Sequence, residues 1–483
     1  MVVSLPVQAA KVALDATHWG IKAGEGCVSC HQTASSGLHQ QWQQSAHAKA
    51  GVNCLDCHQA KAADSDAFTH EGEVIATLVT PQDCGRCHAE EYAENSGSIH
   101  SQSRLLLLNR TGASEAELDA AGCSVCHGSR VTLKIDGTLA TGWPNSGVGR
   151  LNPDGSRGAC SACHGRHQFS RAEARDPQSC RRCHQGSESP DHEAYQSSRH
   201  GILFAAHRSE MNLQNDSWVV GKDYSATATC VTCHMGAAPG INATHDVGMR
   251  DIWNLGGVVS EQQSLVIFEN GETRDLPLSQ PAVRKGDTLA RNSGESGVVK
   301  AVAAPARRRA AMSKVCLECH GKSFATAFFT QFDAQIERYN LEFAIPAQAL
   351  MQQLYDDARL TPTPFDEPLE LSWWRLWHDL GISYRHGAAM ASPSMSSSEG
   401  WQKLQQHFYG DFLPQLQQLL GVEPSRQLLK QYWGDRYPAW LTDAAAAAPL
   451  MGYESLRPAA IAPVASDAPQ ITPSPSAGAV GTP

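Results

Sequence analysis

The sequence predicts a mainly α-helical protein with few strands, in which a repeated short motif organises the first two thirds and long helices follow. Three observations support this fold class. A Cys-x-x-Cys-His pattern occurs eight times before residue 321. Hydrophobic residues make up only 41% of the 483 residues, and stretches rich in Gly, Ser and Asp separate the motifs. After residue 321, apolar residues recur at helical spacings of three and four.

The repeated motif contains all 16 cysteines of the chain, and a histidine directly follows the second cysteine each time. Two thiols three residues apart can bond to the two vinyl groups of one haem, and the adjacent histidine can ligate its iron. Structural zinc sites and disulfides do not require a histidine at that place in every motif. We therefore expect eight covalently attached haems c. The motifs are Cys27, Cys30 and His31; Cys54, Cys57 and His58; Cys84, Cys87 and His88; Cys123, Cys126 and His127; Cys160, Cys163 and His164; Cys180, Cys183 and His184; Cys230, Cys233 and His234; Cys316, Cys319 and His320.

The spacing of the motifs predicts one octahaem-binding domain over residues 11–320. With roughly 39 residues per motif, no unit is large enough to bury a core alone, so the haems must stack and supply the apolar interior. An insertion at about 254–311 has strand-like patches. Its basic run Ala306–Arg309 fits a solvated loop, or alternatively a docking site for an acidic partner.

The remaining regions differ in composition. Residues 1–10 resemble the end of a signal peptide whose beginning is missing, or else a disordered terminus. Residues 321–445 predict a helical C-terminal region that packs on the array and on neighbouring subunits. Residues 446–483, rich in Pro, Ala and Ser, predict a disordered tail.

Charge and hydropathy limit the partners of the protein. The formal net charge is −10, which argues against nucleic acid and favours an electron-transfer partner with a basic face. No run of 18 apolar residues occurs, so no membrane span is expected in this chain. Because haem c is attached outside the cytoplasm, we expect a periplasmic protein.

Thirteen histidines outside the motifs are candidates for the second axial ligand of each iron. An electron-transfer haem has two strong axial ligands, whereas a catalytic haem leaves one position open. The count permits seven doubly ligated haems and one open haem, and it equally permits a pure electron conduit. For His39 and His407 we expect surface histidines.

The residues between the motifs resemble the octahaem hydroxylamine oxidoreductase family. The resemblance lies in the stretch Cys160–Gly201, in THDVG around His245, in GCSVCH at the fourth site and in VCLECH before a helical end without haem motifs. It covers roughly residues 26–401, and the eight motifs follow the family order.

This resemblance implies a division of labour among the haems. The fourth haem, on His127, would be catalytic and five-coordinate, and seven bis-His haems would feed it. His18 or His207 could replace His100 as a distal ligand. The family's distal ligands correspond here to His47, His70, His100, His167, His200, His245 and His386.

The pair Asp191–His192 matches the family's active-site acid and histidine. A histidine can donate or accept protons near neutral pH while a nitrogen oxide is turned over, and the carboxylate can orient His192 and raise its pKa. The alternative is that His192 is another axial ligand.

The chain departs from the family at one position that affects the chemistry. Members that oxidise hydroxylamine carry a tyrosine, before Glu-Gly-Trp, that cross-links to the catalytic haem of a neighbouring subunit. Here Ser396, Ser397 and Ser398 precede Glu399, and no tyrosine lies between Arg385 and Phe408. We therefore expect a haem without the cross-link that reduces nitrite, hydroxylamine or both toward ammonium.

Three other functions remain open: hydroxylamine oxidation, a pure electron conduit, and a tetrathionate-type reductase with a lysine on the catalytic iron. The segment Gly142–Gly158 also resembles members without the cross-link. The resemblance further implies a homotrimer without covalent bonds between subunits, and a quinol-oxidising protein or a small cytochrome c as electron donor.

Overall fold

The computed structural model describes residues 25–135, 139–141, 145–262, 264–268, 273–276, 298–301, 305–396 and 398–434. The predicted signal remnant at 1–10, the predicted tail at 446–483, His18 and Ser397 lie outside these residues. Two compact units divide the chain, Met1–Leu419 and Leu420–Pro483.

The part of the chain that carries the motifs consists of short helices joined by loops. Several motifs begin a helix at a capping residue. Asn53 and Thr229, for example, accept backbone N–H groups of the first turn, and a side chain at the third position returns the bond. The helices here are Glu25–Ala34, Ser36–Gln44, Ala46–Lys49, Cys54–His58, Pro81–Gly85, Ala89–Ser96, Ile99–Thr111, Glu115–Ala120, Ser124–His127, Arg171–Arg175, Pro177–Arg181, Asp191–Ser197, Arg199–His207 and Cys230–His234. Short 3₁₀ turns cover Cys160–Ala162, Arg208–Met211 and Val247–Arg250.

The strands are short and antiparallel, which confirms the predicted fold class of many helices and few strands. Ala67–His70 pairs with Glu73–Ala76, and Thr132–Leu133 pairs with Leu139–Thr141. In the predicted insertion, Ser264–Phe268 lies between Thr273–Leu276 and Val298–Ala301.

The expectation of a solvated loop at Ala306–Arg309 is wrong. These residues lie in the helix Pro305–Cys316, which leads directly into the eighth motif. The Arg308 side chain is buried and donates to the backbone oxygen of Asp251, while Arg309 forms an ion pair with Asp333. The two arginines therefore tie this helix to the segment before it and to the helix that follows.

Longer helices follow the last motif, as the apolar periodicity predicted. They bury aromatic and aliphatic side chains against one another, including Tyr339, Leu350, Leu404 and Phe412. The helices of the first unit after the last motif are Lys322–Tyr339, Ile345–Asp356, Pro368–Trp374, Ile382–Ala389, Pro393–Ser396, Ser398–His407 and Leu413–Leu420, which ends at the unit boundary. The second unit contains the helix Val422–Trp433. Wider π-helical turns occur at Asn340–Ala344, Arg375–Gly381 and Phe408–Phe412.

A cluster of Phe332, Ile336 and Ala388 packs with Trp253 and Leu255 and so joins two long helices to the segment after the seventh motif. The apolar core of this region therefore extends toward the motif-bearing part of the same unit. Within the described ranges, no helix combines the length and apolar character needed to cross a membrane.

Candidate functional site: paired histidines around a large cavity

Six motif histidines each have a histidine from elsewhere in the chain as a ring neighbour. The ring centres of each pair are between 6.0 and 6.4 Å apart. The pairs are His31 with His70, His58 with His167, His88 with His47, His164 with His245, His184 with His100, and His320 with His200.

This spacing fits a metal ion held between the two rings. Two imidazoles on one metal have ring centres about 6.2 to 6.4 Å apart, because each metal–nitrogen bond is about 2.0 to 2.1 Å and each ring adds roughly 1.1 Å. Direct packing of two rings would allow closer approach, as for Trp374 and His378 at 4.2 Å. The pairs therefore suit bis-histidine haem, and each joins a motif histidine to a predicted distal histidine.

A cavity of 3310 Å³ runs through the motif-bearing part of the chain. Pockets for one small molecule typically measure about 300–1,000 Å³, so this cavity has room for several large groups. Its wall includes a cysteine from every motif between the second and the eighth, and also Asp191 and His192. The motif histidines on the wall are His88, His127, His164, His184, His234 and His320.

Electrostatic interactions and hydrogen bonds between cysteines indicate which motifs are neighbours in space. The first three motifs adjoin in order, the third adjoins the fifth, and the fifth, sixth, seventh and eighth continue the row. The fourth motif adjoins the sixth and so forms a branch. The interacting cysteines are Cys27 with Cys54, Cys57 with Cys87, Cys84 with Cys160, Cys163 with Cys180, Cys126 with Cys183, Cys180 with Cys230, and Cys233 with Cys316.

His127, at the branch, stands outside the six pairs: no histidine of the described residues faces it at a comparable distance. Its Nδ1 atom is buried and has no hydrogen-bond partner among the described residues. Burial lowers the pKa of His127, and the nearby Arg104 guanidinium lowers it further. His127 is thus neutral at pH 7, the state in which an imidazole ligates a metal.

The backbone around His127 is closely packed by the loop that contains Gly147 and Val148. Val148 donates to the Cys126 carbonyl at 2.9 Å. Gly128 has a φ of +76°, a conformation that favours glycine, and a Cβ at Gly147 would lie 2.0 Å from the Gly128 nitrogen. Arg150, fully buried, fixes the loop by donating to Asn152 and to the Val79 carbonyl.

His234 is the second motif histidine outside the six pairs. Its Nδ1 lies 2.9 Å from Asp251 Oδ1, and this carboxylate raises the pKa of His234 against the lowering effect of burial. The buried Arg250 donates to the Cys233 and Gly236 carbonyls and so fixes the backbone of the seventh motif. The sequence carried no signal for Arg250 or Asp251, because neither belongs to a motif.

His386, the remaining predicted distal ligand, lies in the helix Ile382–Ala389. Its Nδ1 donates to Asp191 Oδ1 at 2.9 Å, and its Nε2 is buried without a hydrogen-bond partner among the described residues. A buried ring nitrogen without a partner suits a metal ligand. Its pairing with the haem of His234 stays a prediction.

Asp191 and His192 do not interact in the way the sequence predicted. Asp191 accepts from His184 Nδ1 and His386 Nδ1, each at 2.9 Å. Burial alone would raise the pKa of Asp191, but these bonds hold it well below its ordinary value. His192 instead lies 3.3 Å from the Gln178 side chain, and burial lowers the pKa of His192, so the expected rise is wrong.

The structure contradicts the sequence-based expectations for three further histidines. His39 is buried against Trp42, and the His407 side chain is 9% exposed and bonds the Ser372 carbonyl, so neither is a surface histidine. Both are satisfied by local packing that the sequence does not reveal. His207, the alternative to His100, forms an exposed pair with Glu210.

His378 is a cavity residue that sequence reasoning did not single out. It is buried, stacks on Trp374 and lies 3.1 Å from Glu188. Its position within a π-helical turn gave no sequence signal.

Comparisons with known proteins agree with this arrangement. The family described as seven times multi-haem cytochrome CxxCH matches residues 153–260. A probable nitrite reductase-hydroxylamine oxidoreductase fusion protein of Kuenenia stuttgartiensis is 25% identical over 372 residues, which are 71% of this chain. The chain spans only 39% of the length of that relative.

Two solved structures share the fold. A hypothetical multiheme protein aligns with a TM-score of 0.64 and 24% identity, over 85% of this chain and 96% of that one. A reducing HAO-like protein complex of Kuenenia stuttgartiensis contains a chain that aligns with a TM-score of 0.52 and 18% identity, over 84% and 85% of the two chains. The chain therefore contains a multihaem cytochrome CxxCH region, and it shares its fold with these multihaem proteins.

Proposed function

We propose that this cytochrome binds eight haems c and reduces nitrite, hydroxylamine or both toward ammonium at its fourth motif, in the periplasm. The observation that carries the proposal is the difference between His127 and the six paired motif histidines. A paired histidine leaves no position on the iron for a substrate, whereas a five-coordinate haem supplies such a position. The other candidate, His234, has the predicted ligand His386 available.

The absence of a cross-linking tyrosine favours reduction over hydroxylamine oxidation. The tyrosine nearest upstream of Glu399 is Tyr384, which is 3% exposed. Its ring packs on Tyr339 and Trp401 within the same helical core. Tyr384 is therefore held by its own subunit and is a poor candidate for a bond to a neighbouring one.

The other two functions have less support. A pure electron conduit would need a second ligand opposite His127, and the described residues offer no histidine there. A tetrathionate-type site would need a lysine near the iron. No lysine of the described residues lines the cavity.

His192 is the residue that we assign to proton delivery at this site. It lines the same cavity as His127 and is only 3% exposed, and its Nδ1 has no partner among the described residues. Reduction of a nitrogen oxide to ammonium consumes protons with the electrons, so a buried imidazole beside the cavity can hold a proton and pass it on.

The proposal is tested on the haem-loaded protein under reduction by an artificial electron donor. We expect consumption of nitrite or hydroxylamine with formation of ammonium, and a high-spin ferric signal that changes when nitrite is added. His192→Gln should lower the rate roughly 10²-fold without changing the spectrum of the resting protein. His39→Gln, a change of the same kind at a buried histidine that does not line the cavity, is the control.

Several results would contradict the proposal. Failure of the reduced protein to consume either substrate would exclude the reductase. A spectrum with only low-spin haems would indicate a conduit. A long-wavelength band from a cross-linked haem would favour hydroxylamine oxidation. Equal rates for His192→Gln and the unaltered protein would remove His192 from the proton route.

A further inference from the structure

One carboxylate joins two histidines that face predicted haems. Asp191 begins the helix Asp191–Ser197, and its two oxygens have different partners. Oδ2 accepts from His184 Nδ1, and Oδ1 accepts from His386 Nδ1, each at 2.9 Å. Ser189 adds a hydroxyl bond to Oδ2 at 2.6 Å. Asp191 thereby connects the sixth motif with a helix almost two hundred residues later in the chain.

In both imidazoles the Asp191 contact is made by Nδ1, which leaves Nε2 available to a metal. The His184 ring faces His100 at 6.1 Å, the distance that suits a shared iron. The Nε2 of His386 is buried without a hydrogen-bond partner among the described residues. In metal sites a ligating histidine commonly donates its second N–H to a carboxylate, which fixes the ring orientation and makes the ligand more basic.

The sixth motif occupies a junction in the array. Cys183 contacts Cys126 of the fourth motif, and Cys180 contacts Cys230 of the seventh motif. With haems bound at these motifs, the sixth motif would hold the haem that neighbours the fourth site. A group that changes the reduction potential of the haem at the sixth motif therefore changes the haem next to the fourth site.

We propose that Asp191 is a positioning residue that holds axial histidines of the sixth and seventh haems with one carboxylate and lowers the reduction potentials of both. The negative charge and the stronger donation by each imidazole stabilise ferric iron relative to ferrous iron. This role uses both carboxylate oxygens, whereas a proton donor to substrate would need one of them free. The sixth-haem part rests on the His100–His184 pair, and the seventh-haem part rests on His386 as distal ligand.

The test is a spectroelectrochemical titration of haem-loaded Asp191→Asn without any substrate, combined with electron paramagnetic resonance of the low-spin haems. We expect two low-spin components to titrate at higher potential, and their resonance positions to move, while the other components and the high-spin signal stay in place. Glu193→Gln is the matched control, because it removes the same charge from an exposed position on the same helix.

Because the titration contains no nitrite or hydroxylamine, its result is independent of the proposed reductase activity. Unchanged potentials in Asp191→Asn, together with loss of ammonium formation, would overturn the positioning role and favour proton donation. An equal potential shift in Glu193→Gln would overturn the positioning role as well. The loss of one negative charge, without any hydrogen bond to a histidine, would then explain the shift. A shift of one component only would refute the connection through His386.

A second variant keeps the inference testable if Asp191→Asn fails to mature with its haems. Ser189→Ala removes one hydrogen bond to Asp191 Oδ2 and a contact of 2.9 Å to His184 Nδ1, and leaves the His386 side untouched. We expect a potential shift confined to one low-spin component. A change in two or more components, or in none, would contradict the assignment.

Discussion

Gly147 and Gly128 bring two backbone segments together directly behind His127. A methyl group on Gly147 would lie 2.0 Å from the Gly128 nitrogen and 2.8 Å from the Ser124 carbonyl, distances at which the backbone must move. Because Ser124 and Gly128 flank His127 in the fourth motif, the position of that imidazole depends on this contact. Gly147 is therefore expected to affect the fourth haem site and not the others.

We expect Gly147→Ala to disturb the fourth haem selectively. The high-spin ferric signal should broaden or shift, and ammonium formation should fall, while the low-spin haems keep their spectra. The measurement is electron paramagnetic resonance of the resting protein with haem quantification. Gly37→Ala is the control, because nothing lies within 4 Å of a Cβ added there. An unchanged high-spin signal in Gly147→Ala would show that the contact is not needed.

At the scale of elements, one helix serves two sites. Ile99–Thr111 carries His100, which faces His184 of the sixth motif, and Ser103, whose hydroxyl lies 3.5 Å from the His127 carbonyl. Residues three apart lie on neighbouring parts of a helix surface. The helix is anchored by the fully buried Arg104, which pairs with Asp119 at 2.8 Å. The branch between the sixth and fourth sites is therefore held by a rigid element.

The long C-terminal helices pack around an apolar core of aromatic and aliphatic side chains. Phe343 packs on Trp401 and Phe408, and Arg338 lies over the Trp401 ring at 3.8 Å. Leu350 is completely buried in this region. The stability of this helical region should therefore come from the burial of its apolar side chains and should depend little on the haems.

Leu350→Ala should therefore lower the free energy of unfolding by about 2–5 kcal/mol, as deletion of buried leucine atoms does in other cores. The haem spectrum of the folded protein should stay unchanged. Denaturant unfolding followed by tryptophan fluorescence measures the loss. Leu371→Ala, at a leucine 50% exposed, is the control and should change stability by less than about 0.5 kcal/mol. Equal losses in both variants would mean that Leu350 does not belong to a packed core.

At the scale of the whole molecule, the motif-bearing part combines a buried apolar cluster around Met211, Trp218 and Tyr224 with a cavity of 3310 Å³. Val125 and Phe324, which both line this cavity, are 68% and 60% exposed. Exposed apolar groups beside haem motifs are natural contacts for haem edges and for neighbouring subunits. The trimer that the family resemblance implies stays a prediction.

We expect a native mass of three chains of 52.0 kDa each plus their haems at micromolar concentration. Analytical ultracentrifugation provides that mass. On a denaturing gel the protein should migrate as a single chain, because the proposed trimer contains no bond between a tyrosine and a neighbouring haem. A band at the mass of several chains would reveal a covalent link, and a native monomer would contradict the trimer.

The sequence by itself determined the haem chemistry, since two cysteines and a histidine within five residues are sufficient to bond one haem and ligate its iron. It also determined the helical C-terminal region, because helical periodicity is a local property. Only the tertiary structure decided which distant histidines face each other, such as His184 with His100, and that Asp191 bonds His184 and His386 rather than His192. These contacts join residues far apart in the chain, and their partners are fixed by packing around the cavity rather than by any local pattern.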